Sequence, residues 1–285
     1  MAGTLYVVST PIGNLEDLTY RAVRVLSEVD IVACEDTRHS QQLLNHYGLK
    51  TKTVSYHEHN ERGRAEELLA SIKSGLDVAI VSDAGTPGIS DPGFRVVRTA
   101  LDAGLRVVPI PGPTALVSAL VVSGLPIDEF FFAGFLPARS GARRTRLADL
   151  AVIPSTLVFY EAPHRIVASL EDAREILGER EAVVARELTK LHEEILRGRL
   201  SELAALFYQA AHEPRGEMVV MIDRNVILSA DEDTKSEYNV ASIVAGFEAE
   251  GFDARSALKK SARQLGISRD EAYRRLTAER SRGKP

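Results

Sequence analysis

Three short apolar runs, Leu5 to Val8, Val78 to Val81 and Leu105 to Val108, each empty into a loop crowded with Gly, Pro, Ser and Thr. The loops read Thr10-Pro11-Ile12-Gly13-Asn14-Leu15, Ser82-Asp83-Ala84-Gly85-Thr86-Pro87-Gly88-Ile89-Ser90-Asp91-Pro92-Gly93 and Pro109-Ile110-Pro111-Gly112-Pro113-Thr114-Ala115. A strand that ends in such a loop and then turns into a helix is how open α/β sheets build a ligand crevice at their carboxyl edge. The pattern suggests a small-molecule site lined by main chain rather than a catalytic triad.

Around these loops, β-rich runs alternate with helical patterns from residue 4 to about 110, which predicts a mostly parallel sheet with crossover helices. The theme restarts with Phe130 to Ala133, Thr156 to Tyr160, Ala182 to Ala185 and Glu217 to Ile222, interleaved with helical stretches Arg165 to Ile176 and Ser201 to Ala211. The fold class expected is therefore α/β, in two lobes: residues 1–113 and 114–228. An acidic linker over 229–238 and a basic helical appendage over 239–285 follow, the helices falling at Val240 to Phe247, Ala254 to Leu265 and Asp270 to Leu276. The turn Gln264 to Arg269, with Ser268 as candidate N-cap, gives the appendage a helix-turn-helix character.

Composition narrows the classes. No apolar stretch reaches the roughly 18 residues that span a bilayer, and the first residues lack a basic start followed by an apolar block, so a cytoplasmic protein without membrane contact is expected. The single cysteine, Cys34, sits among Ile31, Val32 and Ala33 and is expected to be a buried reduced thiol. The net charge of −5 is uneven: residues 239–285 hold ten Lys and Arg against six Asp and Glu, leaving +4 there and −9 in the rest. A basic appendage on an acidic body would steer a polyanion to the appendage, or simply present a solvated face. Arg139, Arg143, Arg144 and Arg146 crowd another segment, expected to be an exposed loop that either contacts RNA phosphates or is merely solvated.

Familiar phosphate cradles are missing. Neither G-x-G-x-x-G nor G-x-x-x-x-G-K-[ST] occurs, and Pro11 beside one glycine is a poor phosphate nest. His57-Glu58-His59 has its histidines two apart with no partner cluster, so no metal is expected. The loops offer backbone groups, small side chains and the carboxylate of Asp83, which suit a cationic, zwitterionic or nucleoside-like ligand.

The segments Tyr6 to Thr19 (YVVSTPIGNLEDLT), Cys34 to Arg38 (CEDTR), Val81 to Gly93 (VSDAGTPGISDPG), Pro109 to Ala115 (PIPGPTA), Tyr160 to Arg165 (YEAPHR) and Arg186 to Glu194 (RELTKLHEE) carry a family resemblance. Together the chain resembles the small-subunit ribosomal RNA methyltransferase I family of the tetrapyrrole methylase superfamily. The resemblance implies two α/β domains with S-adenosylmethionine folded in the cleft between them, a homodimer, and methylation of the 2'-hydroxyl of a cytidine ribose in 16S rRNA of the small ribosomal subunit. It also implies cofactor contacts. Pro11 would lie against the cofactor, and Val81, Ser82 and Asp83 would hold its ribose and methionine end. Thr86, Thr114 and Ala115 would add to these, with Tyr160 or Glu161 on the adenine side. Ser82-Asp83-Ala84 replaces the Gly-Asp-Pro of many tetrapyrrole enzymes, and Glu161-Ala162 their frequent Met-Gly.

A sulfonium donor carries its own electrophile, so alignment of the acceptor should dominate and a general base should assist. Candidates for catalysis are Asp36, Arg38, Glu187 and Lys190, with Glu35 and His57 nearby in the motifs. Lys190 would serve as base or as fixed cation. Asp36 and Arg38 have a structural alternative as an ion pair capping the helix that begins near Thr37. Two other functions share these features: a precorrin or uroporphyrinogen C-methyltransferase, and a non-catalytic RNA-binding assembly protein.

Overall fold

The computed structural model describes residues 1–209, 216–224, 240–249, 251–265 and 268–282. The expected linker over 229–238 lies outside the described residues, as do Gly266 and Ile267 of the expected turn. The chain divides into two compact units, Met1–Asn225 and Val226–Pro285.

The larger unit holds two five-stranded sheets. The first comprises β1 (Thr4–Val8), β2 (Ile31–Cys34), β3 (Lys52–Ser55), β4 (Val78–Val81) and β5 (Arg106–Ile110), connected through α1 (Tyr20–Glu28), α2 (Thr37–His46), α3 (Glu61–Lys73) and α4 (Phe94–Asp102). Its order is β3-β2-β4-β1-β5 and every pairing is parallel, as expected. Val78-Ala79-Ile80-Val81 is apolar throughout because both faces of a central parallel strand are covered. Side chains alternate between two cores: Val8, Val32, Ala79 and Val81 meet Ala22, Val25 and Leu26 of α1, while Leu5, Ala33, Val78 and Ile80 meet Leu68, Ile72 and Val96 of α3 and α4. Because β4, β1 and β5 are neighbours, the three small-residue loops emerge side by side.

Next come α5 (Ala115–Ser123), β6 (Phe130–Phe135), α6 (Ser140–Leu150), β7 (Thr156–Glu161), α7 (Ile166–Leu177), β8 (Glu181–Arg186), β9 (Glu194–Arg199), α8 (Leu200–Gln209) and β10 (Met218–Ile222). The second sheet runs β6-β7-β10-β8-β9. It departs from a simple repeat of the first: only β6 and β7 are parallel, and β10 is antiparallel to both neighbours. Strand β9 is an element that the sequence pattern did not announce. Only residues 187–193 separate it from β8, too few for a parallel crossover, so the pair closes as an antiparallel hairpin. One face of this sheet is covered by α6, α7 and α8 through Leu147, Leu170, Ala173, Leu203 and Phe207. The other is covered by α5, whose Ala119 and Leu120 pack on Val158, Val183 and Met221.

The smaller unit contains α9 (Val240–Ala249), α10 (Ala254–Gln264) and α11 (Arg269–Arg282). They close on Val240, Val244, Ala257, Leu258, Ala272 and Leu276. Asp253 caps α10 by accepting from the N–H groups of Arg255 and Ser256 at 3.0 and 2.9 Å. The Ser268 hydroxyl accepts from Glu271 N–H at 3.2 Å, the cap expected from the sequence. No helix among the described residues is long and apolar enough to cross a membrane.

Candidate active-site cleft

The three loops are stitched together. Thr10 and Gly85 exchange backbone hydrogen bonds at 2.8 and 3.0 Å. The Thr86 hydroxyl meets that of Ser9 at 2.8 Å and donates to the Pro113 carbonyl at 3.4 Å. The Thr10 hydroxyl donates to the Ser82 carbonyl at 3.0 Å. Gly112 lets the third loop pass the first, since a Cβ there would lie 2.8 Å from that of Ser9. Short polar side chains thus tie main chain to main chain and leave a rigid wall.

That wall faces the second sheet across a cleft of about 500 Å³. Asp83, Thr86, Thr114 and Ala115 line it from the first side, and Tyr160, Glu187, Lys190 and Glu217 from the second. Tyr160 stands between Phe132 and Phe135, ring centroids 5.0 and 5.5 Å away, which gives the cleft an aromatic flank. Its phenol hydrogen-bonds Thr114, yet burial outweighs that bond and holds its pKa above the ordinary tyrosine value. Thr114 occupies the N-cap position of α5 but makes no cap bond with its side chain.

Carboxylates dominate the electrostatics. Glu35, Asp83, Asp91 and Glu217 all reach the cleft. Burial, with the charges of Glu35, Glu217 and Asp83, pushes Asp91 up to about 7 against a pull from the Ser82 hydroxyl. Glu35 is raised too, by burial and then by Asp83. Asp83 also accepts from the backbone N–H of Asp36 at 3.0 Å, which fixes its carboxylate at the end of β2. Asp91 and Glu217 belong to the site although the sequence reading gave them no role. The signal available for Asp91 was its place in the same loop as Asp83, and for Glu217 its place at the start of a strand beside Gly216.

The turn after β8 is unusual. Glu187 and Thr189 have φ of 52° and 66°, the left-handed region that side chains rarely enter. Lys190 is bound to Glu187 at 2.8 Å. Gly13 of the first loop presses on this turn, where a Cβ would lie 2.6 Å from Lys190 Cγ and 3.0 Å from the Leu188 carbonyl oxygen.

Other expected site residues fall elsewhere. Pro11, Val81 and Ser82 are buried behind the wall, Ser82 with its hydroxyl turned to the Ala84 and Gly85 carbonyls. Glu161 corrects the expectation of an adenine contact. Next to Tyr160 on a strand, it points to the opposite face, is fully buried, and binds Arg165 at 2.5 Å and the Ser169 hydroxyl. Asp36 and Arg38 are corrected as well: neither lines the cleft. Asp36 caps α2 by accepting from Arg38 N–H at 2.8 Å and pairs with its guanidinium at 2.9 Å, and this bonding lowers its pKa to about 2. His57 lies at the loop after β3, bonded through its N–H to Asn60. Cys34 is buried and free, its thiol pushed up by burial.

The arginine segment is not an exposed loop. Residues 140–150 form α6, and Arg143 is 3% exposed because Asp172 of α7 holds its guanidinium at 2.6 Å. Arg144 is half-buried and paired with Glu175. Arg139 is exposed and Arg146 half-buried.

Comparison with known proteins bears on this geometry. Residues 4–204 match the family model described as tetrapyrrole (corrin/porphyrin) methylases. A Mesorhizobium japonicum protein named ribosomal RNA small subunit methyltransferase I is 48% identical over 273 residues, 95% of this chain and 90% of its own length. A Pseudomonas aeruginosa protein of the same name is 53% identical over 222 residues, 78% of this chain and 79% of its own. Among solved structures, uroporphyrin-III C-methyltransferase from Thermus thermophilus, complexed with S-adenosylhomocysteine, is similar at a TM-score of 0.54 and 22% identity, covering 78% of this chain and 97% of that one. Diphthine synthase is similar at a TM-score of 0.60 and 15% identity, over 78% and 90%. At these identities the structural likeness bears on the fold alone.

Proposed function

This chain belongs to the tetrapyrrole methylase family, alongside proteins named ribosomal RNA small subunit methyltransferase I, and from that premise we propose that it methylates the 2'-hydroxyl of a cytidine ribose in 16S rRNA of the small subunit. The observation that carries the reading is a cleft built of interlocked backbone and ringed by carboxylates, in a chain 48% identical over 95% of its length to such a protein.

The donor is S-adenosylmethionine, and the residues present fit it. When bound it supplies an activated methyl group on a positively charged sulfur. Glu35, Asp83 and Glu217 complement that charge and the ammonium group of the methionine end, while small residues of the loops leave room for main-chain contacts. Asp83 and Thr86 would hold the ligand from the first sheet, Thr114 and Ala115 from the third loop, and Tyr160 would flank the base. A cleft of about 500 Å³ lies within the range of ligand sites.

The work left to the protein is alignment. Fixing two reactants in line is worth about 7 to 11 kcal/mol in favourable cases, more than the roughly 10² to 10⁴ in rate that a base adds. The interlocked loops supply the rigidity this needs. Glu187 and Lys190, constrained by the left-handed turn and by Gly13, place an ion pair at the cleft wall. We assign the lobe division to residue 113 or so, and RNA contact to the exposed Arg139, to Arg144 and Arg146, and to the basic helices past residue 239; the buried Arg143 is left out. The proposal includes a homodimer acting in the cytoplasm, the former open to sedimentation analysis.

Calorimetric titration with S-adenosylhomocysteine should give one site per chain, lost in Asp83→Leu. Incubation of labelled donor with small subunits and, separately, with a uroporphyrinogen should label only the RNA. Label in the pigment would favour the C-methyltransferase, and no heat with the cofactor product would leave a binding protein.

A further inference from the structure

Beside the cleft lies a second cavity of about 540 Å³ at the N-terminal end of α4. The two share Glu35, Ser90 and Asp91, so these residues form the partition between them. Phe94, the first residue of α4, is 76% exposed there and offers an aromatic face of the kind on which unpaired bases stack. Arg95 and Arg98 border the same cavity with 47% and 68% of their side chains in solvent, and although each is paired, with Glu61 at 3.6 Å and Asp102 at 3.0 Å, their exposed faces are within reach of phosphate oxygens. The partition is held in a defined shape. Ser90 has a φ of 62°, and Gly93 a φ of 145°, with any Cβ there 3.2 Å from Gly88 N.

We propose that Asp91 is the catalytic base, accepting the proton of a ribose hydroxyl presented from the Phe94 cavity. The assignment rests on the ribose-methylation reading above. In the step, the hydroxyl O–H bond breaks and its proton passes to a carboxylate oxygen of Asp91. The electron pair left on oxygen forms the bond to the methyl carbon, while the carbon–sulfur bond of the donor breaks and its pair stays on sulfur, which leaves as a neutral thioether. No oxidant or further reactant is needed.

The surroundings suit this role. Glu35, Asp83 and Glu217 face the carboxylate from the ends of β2, β4 and β10, and the Ser82 side chain pulls against their effect on it. Tyr160 faces it from β7. Further off, Glu58, Glu61, Arg95 and Arg98 border one cavity and Glu187 and Lys190 the other. Held near 7, the carboxylate is ionised in useful amount at neutral pH and is a stronger base than an ordinary aspartate. Lys190, by contrast, is committed to Glu187.

The test compares wild type with Asp91→Asn and Asp91→Glu in single-turnover methylation of small subunits across pH 5 to 9. Asp91→Asn should lower the rate by about 10² to 10⁴ and abolish its rise through pH 7, with Asp91→Glu recovering part. Calorimetric affinity for S-adenosylhomocysteine should stay within about threefold, which separates loss of a base from loss of the site. Apart from activity, the wild-type melting temperature should fall as pH climbs from about 4 to 7 more steeply than that of Asp91→Asn, which keeps only the contribution of Glu35. If Asp91→Asn methylates RNA within about fivefold of wild type with the same pH rise, the assignment is overturned and the functional reading stands. If wild type labels no small-subunit RNA, both fall.

Discussion

Arg143 offers a decisive way to tell structure from recognition in the arginine-rich helix α6. Its Nε and Nη2 lie 2.7 and 2.6 Å from Asp172 Oδ2, and Nη1 lies 3.2 Å from the Ala138 carbonyl. The Asp172 side chain, 11% exposed, has one further partner among the described residues, the Ser140 hydroxyl at 3.0 Å. Replacing Arg143 by Met would leave that anion buried beside a single hydroxyl, a situation that costs about 3 to 5 kcal/mol. In a unit of this size each kcal/mol moves the melting temperature by about 2 to 4 °C, so Arg143→Met should melt roughly 6 to 20 °C lower by scanning calorimetry. Adding Asp172→Leu should recover most of the loss, because no charge is then left without a partner. RNA binding, measured well below the transition, should keep its salt slope, since an internal guanidinium displaces no counterions from phosphate. A drop under about 2 °C, combined with a salt slope shallower by about one, would refute this reasoning and return Arg143 to the RNA surface.

Gly13→Ala should separate the first loop from the turn carrying Lys190, costing about 1 to 3 kcal/mol in denaturant unfolding and weakening S-adenosylhomocysteine binding; unchanged affinity would mean the contact is dispensable. Asp36→Ala should lower the melting temperature modestly while leaving the methylation rate intact, whereas a large loss of rate would restore Asp36 to the chemistry. Arg255, Lys259 and Arg263 recur every four residues on α10 and are exposed, so replacing all three by Ala should flatten the salt dependence of RNA binding by about two in slope, without altering cofactor-product affinity. On pH, the wild-type decline between about 4 and 7 follows from sign: Asp91, raised to about 7 when folded, keeps a proton that the unfolded chain has already released, so stability is greatest below the lower value and is lost as pH rises through the upper. Thermal scans at constant ionic strength check this, and a shallower decline in Asp91→Asn, where Glu35 is still raised, completes the comparison.

Much of this architecture was legible in the residues. Val78 to Val81 announced a central parallel strand, and the loops rich in glycine and proline announced a crevice, because both signals are local. Ser268 and its cap were readable for the same reason. The second sheet was harder. β9 reads Glu-Ile-Leu-Arg-Gly-Arg, a charged edge strand whose identity depends on its pairing with β8 rather than on its own pattern. Arg143 misled because burial of a guanidinium requires Asp172, 29 residues away, and composition cannot show that pairing. Glu161 misled through a change of one position: Tyr160 faces the cleft and its neighbour, on a period of two, faces the core. Asp91 escaped notice because a shifted carboxylate depends on Glu35 and Glu217, which reach it only through the fold.

Nucleoside analysis of small-subunit RNA bears most directly on the central claim. Subunits lacking the modification, incubated with this protein and S-adenosylmethionine and then digested to nucleosides, should yield 2'-O-methylcytidine in an amount approaching one per subunit. Methyl groups found only on a base, or absent from the RNA altogether, would contradict the account.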